Sequence, residues 1–346
     1  MRRLCKRAGD AYLKGMKLIV PRPEGLYCEA GDFYIDPWRP ALRAIITHGH
    51  ADHARYGSQA YLCHADSVAI LRRRLGGIDV QGVAYGEVVE RDGVRVSLHP
   101  AGHILGSAQV RVEHKGEVWV ASGDYKIEPD GTCAAFEPVR CHGFITESTF
   151  GLPIYRWRPQ AEVAAEINAW WRGNAEAGRA SVVHAYALGK AQRVLALLDP
   201  EIGPIVAHGA VEPMNEIYRA RGVALPQTAS PAGMAKAALA RALVLAPPSA
   251  AASPWMRRFP DYADAFASGW MQVRGQRRRR GVDRGFVLSD HADWGGLLSA
   301  IAATGASRVL VTHGSAATLA RYLGEKGLSA DVVHAEYGDE DLGEAA

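Results

Sequence analysis

The sequence has few cysteines and no spacing that would pair them. Five cysteines occur among 346 residues, none in a C-x-x-C arrangement, which argues against a zinc ribbon or a redox dithiol. No apolar run approaches the roughly 18 residues of a membrane-spanning helix, and the basic N-terminus lacks the apolar core of a signal peptide. We therefore expect a cytoplasmic protein without membrane contact, whose residues 1–15 form an extension that is a candidate for disorder.

Strong net charge is also absent, so any attraction to a polyanion must come from local clusters. The 40 basic and 37 acidic side chains leave a net charge of +3. One basic cluster stands in "VRGQRRRRGVDRG" and contains six arginines: Arg274, Arg277, Arg278, Arg279, Arg280 and Arg284. We predict that it contacts a nucleic-acid backbone, the alternative being a solvated charged loop. Lys190, at a predicted helix start in "AYALGKAQR", is a weaker candidate for a phosphate contact.

Hydrophobic periodicity divides the chain into a part rich in short strands and a part in which strands and helices alternate. The first 150 residues are typical of short strands with tight turns, including a hairpin in "AQVRVEHKGEVWVASGDY" that turns at Lys115 and Gly116. After Gly151 a helix is predicted from Pro159, followed by alternating strands and helices, which favours a parallel sheet with crossover helices. The sequence therefore predicts an α/β protein with a second α/β domain in its middle.

The stretch "ITHGHADHARYG", residues 46–57, carries a dense group of polar side chains directly after an apolar run. Neutral imidazole and carboxylate together suit zinc or a similar divalent ion. In an extended loop His48 and His50 point the same way, because side chains at i and i+2 share a face, so Asp52 and His53 can turn towards a second ion. Two metal ions are therefore predicted here.

Further ligands are expected at the ends of other predicted strands. The candidates are His103 in "PAGHILGS", Asp124 in "SGDY" and His313 in "VTHG". A carboxylate such as Asp124 can bridge two cations about 3.5 to 4 Å apart, as in two-metal hydrolytic sites. A lone histidine after a strand is more often a structural residue than a ligand, so the clustered motif carries this prediction.

The motif "THGHADH" is similar to the H-x-H-x-D-H signature of the metallo-β-lactamase fold superfamily. Within it, "ITEST", "SDHAD" and "VTHG" resemble, in the same order, three further motifs of the β-CASP nucleases. Residues 25–57 and 269–298 look like bacterial DNA ligase-associated exonucleases. The resemblance implies an αββα sandwich with an inserted β-CASP domain, divided as residues 16–154 (sandwich), 155–284 (insertion) and 285–346 (sandwich).

The resemblance also implies roles for individual residues. It assigns the ligands of two zinc ions, with Mn²⁺ as an alternative metal: His48, His50 and His103 for one, Asp52, His53 and His313 for the other, and Asp124 between them. Asp36, in "FYIDP", is implied to support the metal-binding loop. His291 is implied to protonate the leaving oxygen, with Glu147 orienting its ring.

The implied activity is hydrolysis of DNA by a 5′ exonuclease in DNA repair. Single-stranded or end-bearing DNA is the implied substrate, with a DNA ligase and a helicase as implied partners. His313 in the last motif favours instead an RNA-processing ribonuclease, because the DNA-repair branch of eukaryotes usually has an apolar residue there. A glyoxalase-type hydrolase would share "THGHADH" without needing Glu147 and His291, and a non-catalytic β-CASP scaffold would be expected to have lost ligands.

Overall fold

A computed structural model describes residues 18–333 of the chain. The predicted N-terminal extension, residues 1–15, lies outside this range, as do residues 334–346. Within the described part, no helix combines the length and the apolar character that crossing a membrane requires.

Six strands form the first sheet and follow one another in chain order. They are β1 (Val20–Arg22), β2 (Gly25–Cys28), β3 (Phe33–Ile35), β4 (Arg43–Ile45), β5 (Ala60–His64) and β6 (Val80–Val83). The first two junctions are antiparallel and the remaining three are parallel. Helix α1 (Ser67–Leu75) makes the crossover from β5 to β6 and buries Ile70 and Leu71.

Seven strands form the second sheet, in the order β18-β17-β11-β10-β9-β8-β7. They are β7 (Val88–Arg91), β8 (Val94–Pro100), β9 (Ala108–His114), β10 (Glu117–Ala121), β11 (Gly143–Thr146), β17 (Arg308–Val311) and β18 (Ser329–Val332). The predicted hairpin is confirmed: β9 and β10 pair antiparallel, and Lys115 and Gly116 both have positive φ (49° and 82°). Two positive φ values match a type I′ turn, whose twist suits the flanking strands.

The two sheets pack face to face. One apolar cluster contains Leu26 and Ile35 from the first sheet together with Val110, Trp119 and Ile145 from the second. The outer face of the second sheet is covered by helices α7 (Trp294–Thr304) and α8 (Ala316–Glu325), and α1 covers the first sheet. Each sheet thus buries both faces, and the predicted αββα sandwich is confirmed.

The third sheet is inserted between β11 and β17 along the chain. Its five strands are all parallel, in the order β13-β14-β12-β15-β16. They are β12 (Ala180–His184), β13 (Ile205–Ala207), β14 (Leu243–Ala246), β15 (Tyr262–Ala267) and β16 (Arg284–Phe286). The predicted parallel α/β unit is therefore present, although β16 extends two residues past the predicted boundary at residue 284. The boundaries as such stay a prediction.

Helices of the insertion connect its strands. They are α2 (Gln160–Glu176), α3 (Lys190–Ala196), α4 (Glu212–Ala220), α5 (Lys236–Leu239) and α6 (Arg274–Arg280), with 3₁₀ turns at Pro248–Ala250, Pro254–Arg258 and Gly269–Gln272. As predicted, α2 begins after Pro159 and buries Val163, Ile167 and Trp171. The apolar cluster around α2 also includes Ile70 and Ile104 of the sandwich, so the insertion packs directly against helix α1 and the loop that follows β8.

Candidate metal centre

The predicted ligands follow strands that end at one edge of the sandwich. Strands β10, β11 and β17 are mutually parallel neighbours, so their carboxyl ends lie side by side. Asp124, Glu147 and His313 come directly after these ends. The motif of His48 follows β4 in the facing sheet, and it therefore meets the other residues across the top of the sandwich.

Asp36 anchors the loop that carries His48 and His53. Its carboxylate accepts hydrogen bonds from Thr47 N (2.7 Å), Thr47 Oγ1 (2.5 Å) and His53 Nδ1 (2.7 Å). Asp36 itself has a φ of 42°, a conformation that costs a non-glycine residue energy and persists where surrounding contacts enforce it. The bond to Nδ1 turns Nε2 of His53 towards the centre, which is the supporting position predicted for Asp36.

Four side chains form the first potential ligand set. His48, His50, His103 and Asp124 bring one nitrogen or oxygen atom each within 4.8 Å of all the others. His50 Nε2 lies 3.1 Å from Leu188 O, and His103 Nδ1 lies 2.8 Å from Asp290 O. Since a carbonyl oxygen only accepts, these nitrogens carry the protons. The other two nitrogens, His50 Nδ1 and His103 Nε2, then present lone pairs to each other at 3.1 Å.

Two such lone pairs repel each other unless a positive charge lies between them. Among the described residues, Nε2 of His48 and Oδ1 of Asp124 are buried without a hydrogen-bond partner, which is costly for a polar atom unless it binds something else. Burial first, and then the neighbouring histidines, hold the pKa values of His48 and His103 well below the usual range. Neutral imidazoles are what a divalent metal requires, so this set fits one.

A second potential set shares Asp124 with the first. Asp124 Oδ2 lies 3.5 Å from His48 Nε2 and 3.3 Å from His53 Nε2, and Asp52 Oδ2 lies 3.5 Å from His53 Nε2 and 3.9 Å from His313 Nε2. Burial raises the pKa of Asp124 to about 6, although His53 opposes this. A cation beside the carboxylate would restore its charged form. All seven predicted ligands thus converge, with Asp124 between the two sets; their roles as ligands stay predictions.

His291 and Glu147 form a buried pair beside these sets. His291 Nδ1 lies 2.8 Å and 3.0 Å from the two carboxylate oxygens of Glu147, and Tyr125 N donates to Glu147 Oε1 at 2.7 Å. The ring centroid of His291 is 4.6 Å from that of His103. Nδ1 therefore faces Glu147, while Nε2 lies 4.0 Å from Oδ1 of Asp290. The structure places these two residues together, and their roles in proton transfer stay predictions.

Lys190 lies in a different environment from the one predicted. Its side chain is buried, and its Nζ pairs with the carboxylate of Asp290, which is equally buried. Burial would raise the pKa of Asp290, but Lys190, together with His103, His291 and Arg193, outweighs this effect and holds the pKa well below its usual range. Because the ammonium is already engaged out of solvent, this placement differs from the phosphate contact predicted for Lys190.

A second buried cation from the same helix reinforces this connection. Arg193 pairs with Asp130, and its guanidinium donates to Ser289 O (2.7 Å) and His103 O (3.1 Å). Helix α3 of the insertion thus binds directly to the loops that carry His103 and His291. Sequence reasoning missed Asp130, Arg193 and Asp290; the only local signal was the aspartate beside His291 in "SDHAD".

Five members of the arginine cluster lie on helix α6 and Arg284 begins strand β16, so the cluster is not a loop and its members differ in environment. Arg280 is half-buried, with its guanidinium 4.5 Å above the ring centroid of Phe266. All five others are exposed, and of these Arg277, Arg278 and Arg284 line a cavity, whereas Arg274 and Arg279 do not. The strand β16 that follows belongs to the inserted sheet, so the cluster sits on the insertion and not on the sandwich.

Comparison with known proteins gives several matches, although no family model matches the chain. The chain is 32% identical over 310 residues to a probable DNA ligase of Opitutus terrae, covering 88% of this chain and 30% of that protein. It is 30% identical over 122 residues to cleavage and polyadenylation specificity factor subunit 3 of Dictyostelium discoideum, covering 35% and 16%. Endoribonuclease YSH1 of Saccharomyces cerevisiae is 28% identical over 122 residues, covering 35% and 15%.

A solved structure shares the fold. The crystal structure of a protein of unknown function from Enterococcus faecalis superposes with a TM-score of 0.56 at 12% identity, over 86% of this chain and 80% of that one. The chain spans less than a third of the length of the curated relatives named above.

Proposed function

Because the chain belongs to the β-CASP group of the metallo-β-lactamase fold superfamily, we propose that it is a metal-dependent nuclease that hydrolyses phosphodiester bonds of DNA. The observation that carries the proposal is the combination of two ligand sets sharing Asp124 with the pair His291 and Glu147. Metal binding alone would suit many hydrolases. A carboxylate-oriented histidine beside the metal site adds a proton donor for a poor leaving group.

Two divalent ions fit the site, and zinc suits its nitrogen and oxygen donors. His48, His50 and His103 would hold one ion, and Asp52, His53 and His313 the other, with Asp124 shared. When bound, the ions would lower the pKa of water and neutralise charge on the phosphoryl oxygens.

Proton transfer falls to His291. Glu147 accepts a hydrogen bond from Nδ1 and orients the ring, so that Nε2 donates a proton to the leaving oxygen of the substrate strand. Asp36 keeps the metal-binding loop in register through Thr47 and His53. Helix α3 keeps the insertion and the metal-binding loops in a fixed relation through Lys190 and Arg193.

DNA is preferred as the substrate because similarity to the probable DNA ligase extends over 88% of the chain, while similarity to the RNA-processing relatives covers 35%. We propose 5′ exonuclease action on single-stranded or end-bearing DNA, in the cytoplasm, alongside a DNA ligase and a helicase of a repair pathway. The second candidate is ribonuclease action, which His313 and the endoribonuclease relatives favour. A glyoxalase-type activity would leave the Glu147–His291 pair without a purpose.

The test is digestion of DNA and RNA strands of identical sequence, each labelled at the 5′ or the 3′ end, with Zn²⁺ or Mn²⁺ added. A 5′ exonuclease releases the 5′ label at once as a mononucleotide, whereas the 3′-labelled strand shortens progressively. The variant His291→Ala, assayed with its metal content, controls for contaminating nucleases. Preferential loss of the RNA strand, or hydrolysis of a thioester instead of either strand, would contradict the proposal.

A further inference from the structure

A cavity of about 500 Å³ lies on the insertion between helices α2 and α6. Its charged lining consists of four arginines and two acids: Arg158, Arg277, Arg278, Arg284, Glu166 and Asp283. We call these six residues and the space between them the arginine pocket. The proposed chemistry of the metal centre does not assign a role to this pocket.

Its charges are unbalanced. Glu166 accepts from Arg158 Nη1 at 2.7 Å, and a carboxylate oxygen of Asp283 receives the backbone N–H of residue 264 at 3.3 Å. Within residues 18–333, Arg277 and Arg278 have no ion-pair partner, while Arg284 lies over the ring of Phe286, 5.2 Å from its centroid, and also attracts Glu166, which Arg158 already pairs. Like charges gathered in a concavity repel one another, so an anion bound among them would be stabilising.

On the inner side of the pocket, the stem of Arg277 lies close to strand β16. A Cβ atom built on Gly285 would lie 2.9 Å from Arg277 Cδ, so the stem of Arg277 rests directly on the backbone of β16. Guanidinium groups held in this way offer planar forks of donors that match phosphate oxygens. Arg279 has the same charge on the same helix, but it does not line the pocket.

An aromatic group connects the pocket to the proposed proton donor. Trp157, the residue before Arg158, donates its Nε1 hydrogen to His291 O at 2.9 Å. Phe150 lies 5.9 Å from the ring of His291 and 4.7 Å from the ring of Trp270, centroid to centroid. Trp157 and Trp270 are only half-buried, and aromatic side chains with exposed surface are suited to stacking of bases in a single strand.

We propose that the arginine pocket binds a backbone phosphate of the substrate strand at a distance from the scissile bond, with the intervening bases passing Trp157 and Trp270. The inference rests on the proposed nuclease function and deepens it. The pocket is then a subsite that favours polymeric nucleic acid over short fragments. It also divides the arginine cluster into members that bind substrate and members that do not.

The experiment compares Arg278→Ala and Arg284→Ala with Arg279→Ala, a matched variant of equal charge change outside the pocket. Affinity for single-stranded DNA of about twelve nucleotides, within the usual range of site sizes, is measured by fluorescence anisotropy over a salt series. The metal-loaded protein carries His291→Ala to prevent cleavage. With His291 present, kcat/KM is measured for the same strand and for a dinucleotide. Thermal melting and metal content are recorded for every variant.

Each pocket variant should bind the strand about tenfold more weakly, as expected for one charged hydrogen-bonding group. Its salt slope should be shallower by about 0.7, the value for one lost phosphate contact on a single strand. The loss in kcat/KM should be greater for the long strand than for the dinucleotide. Arg279→Ala should weaken binding by less than about twofold, since it changes only the general field.

Three results would contradict the proposal that the arginine pocket binds a phosphate of the substrate strand. Equal losses for Arg279→Ala and Arg278→Ala would mean diffuse attraction without a subsite. Equal losses on the long strand and the dinucleotide would indicate an indirect effect on the metal centre. Loss of inorganic phosphate binding in Arg284→Ala, measured by calorimetry, with unchanged DNA binding would assign the pocket to a free anion. Failure of the proposed function is distinct, because the unaltered protein would then cleave neither DNA nor RNA, or would prefer RNA, whatever the pocket variants do.

Discussion

The buried ion pair between Lys190 and Asp290 makes a prediction about stability that the sequence alone would not make. Both residues are 2% exposed, so Lys190→Met would leave the carboxylate of Asp290 in the interior without its partner. Breaking such a pair from one side costs about 3 to 5 kcal/mol. Arg193 also lowers the pKa of Asp290. Since its charge partly compensates the carboxylate, the expected cost lies nearer to about 3 kcal/mol than to about 5 kcal/mol. At roughly 2 °C per kcal/mol for a chain of this size, the melting temperature should fall by roughly 6 to 10 °C.

The assay is a double-mutant cycle followed by thermal and chemical unfolding. Asp290→Asn combined with Lys190→Met removes both charges, so the double variant should be more stable than the sum of the single losses predicts, by about 0.5 to 3 kcal/mol. DNA affinity is measured in parallel. A Lys190→Met protein of unchanged stability that binds DNA more weakly, with a flatter salt slope, would refute the buried pair and restore the phosphate contact expected from the sequence.

Two further predictions concern other groups. His313→Ala should lose one of two bound metal equivalents and all cleavage, whereas His291→Ala should keep both metals and slow cleavage by about 10² to 10⁴; metal analysis showing the opposite losses would reverse the two roles. Cys63 is fully buried, and burial raises its pKa to about 12, so native protein at pH 8 should resist iodoacetamide at this residue, and rapid labelling would contradict its burial. Since the thiol of Cys63 ionises more readily when unfolded, its contribution to stability is complete below about pH 9 and should be lost between that pH and about 12.

The sequence alone was sufficient to predict those features that depend on a short stretch of chain. The metal-binding motif could be predicted because His48, His50, Asp52 and His53 are close in sequence, so any loop conformation keeps them near one another. The hairpin at Lys115 was predictable for the same reason, since alternation and a two-residue turn specify its register. Strand and helix order then indicated the fold class, because a run of parallel strands with crossover helices permits few arrangements.

Pairings between distant residues were decided by tertiary structure. Lys190 and Asp290 are separated by 100 positions, and nothing in "AYALGKAQR" distinguishes an exposed lysine from one that meets a buried carboxylate. The difference arises because helix α3 packs against the loop before His291, where burial makes an unpaired charge costly and selects the partner. Likewise, Arg278 and Arg279 are adjacent and chemically identical in the sequence. Only the direction in which helix α6 presents each side chain places Arg278 in the pocket and leaves Arg279 outside it, because successive residues on a helix point about 100° apart.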